Sequence, residues 1–90
     1  MLHNVVEDIV EEWLEKILAH YDCCKCAKCR LDMMAMSLNE LRPHYVVSRD
    51  LYSKARYLCA GKQNEIMMAV VTSVEFIKDN PRHDRNEFDM

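Results

Sequence analysis

Cys23-Cys24-Lys25-Cys26-Ala27-Lys28-Cys29 packs four of the chain's five cysteines into seven residues. The stretch separates two segments with helical spacing. Thiols this crowded call for a metal, a disulfide or a redox role. Cys26-x-x-Cys29 has the spacing that lets two sulfurs reach one ion, and Cys24 can add a third from the same turn. An odd cysteine count without a disulfide framework favours metal. The expected element is therefore a helix junction clipped by zinc.

Working outward, Asn4 can cap a first helix, with Glu7 at the capping-box position. Val6, Ile9, Val10, Trp13, Ile17 and Leu18 follow at helical spacing to about His20 or Tyr21. Glu7, Asp8, Glu11, Glu12 and Glu15 line the opposite face. Beyond the cysteines, a second helix is expected from about Cys29 to Leu41. Leu31, Met34, Ala35, Leu38 and Leu41 form its stripe, and Met33 and Met36 a second apolar edge. A helix apolar over so much of its circumference is covered on more than one side, which predicts dimerisation through it. Pro43 stops that helix and restricts Arg42.

Tyr45-Val46-Val47 reads as an extended linker, too short to build a sheet. Ser48 can cap a third helix carrying Leu51, Tyr52, Ala55, Leu58 and Cys59. Gly61, the only glycine, falls where a left-handed C-cap belongs. Asn64 can cap a fourth helix through Ile66, Met67, Val70, Val71, Val74 and Ile77, stopped by Asn80-Pro81. The expected architecture is all-α: a single domain over residues 1–81, with four helices, zinc at the first junction and a homodimer. Residues 82–90 are polar and aperiodic, and read as a disordered tail.

The fourth zinc ligand must come from elsewhere. Cys59 is the expected choice, as the remaining thiol outside the cluster, with His20 and Cys23 as alternatives. A thiol late in an amphipathic helix is as readily a packed core residue. Rival metal readings fail on detail. Met33 stands where a ferredoxin run needs its fourth Cys. Arg30 stands where a haem-attachment motif needs His. A thioredoxin-like role lacks its βαβ surroundings.

A second constellation surrounds Pro43. Arg30, Arg42, His44 and Arg49 are basic, with Lys54 and Arg56 beyond, and Tyr45 and Tyr52 offer aromatic faces. Guanidinium groups fork onto phosphates and stack on bases. Arg30, Arg42, His44, Tyr45 and Arg49 are the candidate ligand-binding set, for a small phosphorylated molecule with planar bases. The bland alternative is a solvated surface with ordinary ion pairs. A formal net charge of −3 makes nucleic acid and anionic membrane poor default partners. No secretory leader is legible, and no apolar run approaches the roughly 18 residues of a span, so the cytoplasm is expected. No catalytic Ser/His/Asp arrangement is legible either.

The stretches Cys24-Lys-Cys-Ala-Lys-Cys-Arg-Leu-Asp32, Ala35-Met-Ser-Leu-Asn-Glu-Leu41 and Pro43-His-Tyr-Val-Val-Ser48 resemble the late competence development protein ComFB family. Asn4 to Val10 and Asn80 to His83 fit as well, so the likeness covers roughly residues 2–83. The resemblance implies a small helical homodimer with zinc on its cysteines, and a non-enzymatic regulatory role in bacteria. It also implies a receptor for a cyclic di-nucleotide, chiefly cyclic di-GMP, acting on competence or motility through an unknown downstream protein. The alternative is a zinc-stabilised structural adaptor that binds a protein partner and no nucleotide.

Overall fold

The computed structural model describes residues 2–80. The expectation for the 82–90 tail lies outside them. Helix α1 spans Val5–Leu18, α2 Ala27–Asn39, α3 Arg49–Cys59 and α4 Gln63–Asp79. Two short strands, β1 (His3–Asn4) and β2 (Tyr45–Val46), pair antiparallel. The domain is small and mostly helical. Helix α4 packs along both α1 and α2, which also touch each other, whereas α3 lies against α1 and β2. The core thus sits among α1, α2 and α4.

Asn4 starts α1 as expected, its Oδ1 accepting from the Val6 N–H. The same oxygen accepts the His44 N–H at 2.9 Å. The cap therefore also ties α1 to the chain before β2, a role invisible in a local motif. Glu7 and Asp8 sit in the first turn, where carboxylates complement the helix dipole. Regular helix ends at Leu18, short of the expected His20. The His20 and Tyr21 amides bond back to Ile17 and Leu18, an i→i−3 tightening that closes the end.

Helix α2 begins two residues early because Cys26 caps it, its Sγ accepting the Cys29 N–H. Its buried line is Cys29, Met33 and Ser37, at i, i+4 and i+8. This rotates the helix from the expected stripe: Met34, Leu38 and Leu41 are half-buried, but Leu31 is 63% exposed and Ala35 is exposed. The reason is Ser37. Its hydroxyl donates within the core, so it behaves as a small residue that lets α2 approach α4.

Ser48 caps α3, accepting the Leu51 N–H. Only Ala55 and Cys59 of α3 are buried; Leu51 and Leu58 face outward. Two expectations fail just beyond it. Gly61 has no positive φ, and Asn64 does not cap α4. The chain passes from α3 through a 3-10 turn, Ala60–Lys62, straight into α4. The residues around that turn, Cys59, Lys62 and Gln63, keep negative φ, so the helix end is closed without a left-handed residue. Val46 likewise does enter a ladder, because His3 pairs with it.

Candidate metal centre and ligand cavity

The tight end of α1 and the capped start of α2 hold the loop between them. That geometry brings Cys24, Cys26 and Cys29 together, with their sulfurs within 4.8 Å of one another. Cys24 is exposed, Cys26 half-buried and Cys29 buried. Two sulfurs on a tetrahedral ion with bonds of about 2.3 Å stand about 3.8 Å apart. Closing the trio around an ion therefore asks for no more than about 1 Å of movement.

The electrostatics favour a cation. Burial pushes the Cys29 thiol up to about 12, and its contacts with the Cys24 and Cys26 thiols add to the shift. An anion there is unfavourable until a metal supplies opposite charge, whereupon a coordinating thiol is deprotonated. The donor set is soft and all-sulfur, which suits a closed structural site. The trio fits a metal ion.

The fourth position is not filled as expected. Cys59 is not among the three thiols that converge: its Sγ lies 3.9 Å from His44 Nδ1, and it lines hollows bordered by α1 residues from Val6 to Lys16. Helix α1 has 14 residues, about 21 Å of rise, and the trio lies at its far end. Cys23 is half-buried and His20 exposed, both near the trio in sequence.

The basic constellation also divides. Arg30 follows Cys29 and pairs with Glu15 on α1, at the metal end. From Arg30 to Asn39 the helix rises about 14 Å, which carries the chain away from it. Arg42, His44, Tyr45 and Arg49 lie at the other end, around β2. Arg42 lines a cavity of about 400 Å³ together with Lys62, Glu40, Glu65 and Cys59. His44 reaches the cavity wall through Cys59. Tyr45 is 57% exposed and Arg49 is exposed, outside the cavity lining.

Sequence reading missed a polar brace between α1 and α3. Tyr52 and His3 both meet Asp8 Oδ2, at 2.7 and 2.8 Å. Arg56 forks both oxygens of Glu12 at 2.8 Å. Opposite charge on the edges of two amphipathic helices was the available signal. At the metal end, Tyr21 donates to Glu75 of α4 at 2.6 Å.

A family model described as late competence development protein ComFB matches residues 3–81. The chain belongs to the ComFB family. It is 27% identical over 84 residues to the competence protein ComFB of Bacillus subtilis (strain 168), covering 90% of this chain and 86% of that protein. A solved structure of the late competence protein ComFB from Bacillus subtilis superposes with a TM-score of 0.75 at 27% identity. That match covers 90% of this chain and 92% of the other. The resemblance read from the cysteine, helix and turn stretches therefore holds, and the ComFB fold is the fold seen here. Among the described residues, no helix is long and apolar enough to cross a membrane.

Proposed function

We propose that this ComFB-family chain is a non-catalytic bacterial regulator, a zinc-clipped helical dimer that receives cyclic di-GMP in the cavity beside Arg42. The carrying observation is the cavity's lining, which the cations Arg42 and Lys62 share with the carboxylates Glu40 and Glu65. Guanidinium and ammonium groups suit the two phosphates of the ligand. Carboxylates accept from the donor edge of guanine. A volume of about 400 Å³ suits one guanylate half. Tyr45 and Arg49, exposed nearby, extend the same surface. Arg30, at the metal end, leaves the ligand set.

Zinc is the ion assigned to Cys24, Cys26 and Cys29, because a thiolate trio is typical of structural zinc and not of an open catalytic site. Dimerisation is assigned to the outer α2–α4 groove, where Met36 lies between Met68 and Phe76. An odd number of cysteines, three of them gathered as a metal-binding trio, suits a reducing cytoplasm.

One observation favours the adaptor reading. Helix α3 leaves Leu51, Tyr57 and Leu58 exposed, a surface suited to protein. Titration calorimetry against cyclic di-GMP, cyclic di-AMP and GMP separates the two. The receptor reading expects cyclic di-GMP to bind, binding to weaken with salt, and Arg42→Ala to lose at least tenfold while Lys78→Ala does not. No binding at hundreds of micromolar by intact, zinc-loaded protein would leave the adaptor.

A further inference from the structure

Cys59 and His44 have no part in the trio, yet Cys59 lines the cavity beside Arg42 and His44 stands directly against it. Cys59 Sγ and His44 Nδ1 are 3.9 Å apart. With zinc bonds of about 2.3 Å to sulfur and about 2.0–2.1 Å to nitrogen, that separation closes a triangle with an angle of about 125–130° at the ion. A contraction of about 0.3–0.4 Å makes the angle tetrahedral.

The imidazole is held in place by its backbone. The His44 N–H donates to Asn4 Oδ1 at 2.9 Å, and its carbonyl accepts from the Val5 N–H at 2.8 Å. Cys59 is fixed at the end of α3, 2% exposed, and borders the 400 Å³ cavity from which a hydrated ion can approach. Among the described residues no third Cys, His or carboxylate stands with the pair, so water from the cavity completes the sphere.

We propose that Cys59 and His44 form a second metal half-site, separate from the thiol trio, for a borderline-soft divalent ion such as zinc. The thiol proton leaves to solvent as the ion binds, so occupancy falls with acid. The remaining positions open into the cavity, unlike the sulfur-filled trio. This inference does not depend on nucleotide binding.

Zinc titration of the chelator-stripped, refilled full chain tests it. Elemental analysis after desalting should give about two zinc per chain. Cys59→Ser and His44→Ala should each retain about one, and Cys24→Ser should lose the other. His44→Ala keeps both backbone bonds, so it decides the matter if Cys59→Ser unfolds. Cobalt in Cys24→Ser protein should still show sulfur-to-cobalt charge-transfer absorption, abolished by adding Cys59→Ser. A single equivalent in the wild type, or a second one retained in both His44→Ala and Cys59→Ser, overturns the proposal.

Discussion

Ser37 on α2 and Ser73 on α4 meet Oγ to Oγ at 3.0 Å, both fully buried between the two packed helices. Each hydroxyl also bonds a carbonyl four residues back, Met33 for Ser37 and Ala69 for Ser73. The pair is small and satisfied, which lets two backbones approach where larger residues would hold them apart. Ser37→Ala should cost about 1 kcal/mol, the net worth of a buried hydrogen bond. Ser37→Leu should cost about 1–3 kcal/mol through overpacking. Urea unfolding checks both; a stabilised Ser37→Leu would mean that α2 and α4 are not in close contact here.

The brace between α1 and α3 makes stability depend on pH. Arg56 holds the Glu12 carboxyl below its ordinary 4.5. Burial alone would raise Asp8, but Tyr52, His3 and Arg56 together hold it below its ordinary 3.8. A depressed carboxylate stabilises the fold above its unfolded value, and the benefit is lost as pH falls through the folded value. Stability should be full at neutral pH and fall below about 4.5 for Glu12 and below about 3.8 for Asp8. In Glu12→Gln the fall should be shallower. Denaturation midpoints from pH 7 to 3 provide the check.

Cys26 has two roles that one substitution separates. Its Sγ caps α2 through the Cys29 N–H and stands in the trio. Serine is a good helix cap but a poor zinc ligand. Cys26→Ser should therefore keep the start of α2 and lose the ion, with a large drop in melting temperature, because metal affinity is linked to folding. With both compared in a Cys59→Ser background, where the second half-site is absent, chelation should give the same drop as Cys26→Ser and should not change the Cys26→Ser protein. Circular dichroism melts with and without chelator report both.

The outer α2–α4 groove makes the dimer testable by charge. Met36 borders both surface hollows there, beside Met68 and Phe76. Met36→Glu should weaken association at least tenfold by burying an unpaired carboxylate. Leu58→Glu, on the exposed face of α3, should leave association unchanged. Light scattering across a dilution series distinguishes them; equal weakening by both would move the interface off this groove.

Much of this was legible in the sequence because local chemistry set it. Asn4 and Ser48 are caps, Ile66, Val70, Val74 and Ile77 share a face, and the cysteine spacing is short-range. What was not legible depended on tertiary partners. The rotation of α2 depends on Ser37 finding Ser73, 36 residues away. The continuity of α3 into α4 depends on a turn in which Gly61 needs no special φ. Cys59 has no local partner in sequence, and only the packing of α3 on α1 sets it beside His44 rather than the trio.

The central claim is that zinc on Cys24, Cys26 and Cys29 clips α1 to α2. Zinc-edge X-ray absorption on Cys59→Ser protein, purified without added metal, tests it most directly because the second half-site is then absent. The account predicts about one zinc per chain, with a dominant shell of at least three sulfurs at about 2.3 Å. A metal-free protein that is equally stable, or an ion with only nitrogen and oxygen neighbours, would contradict it.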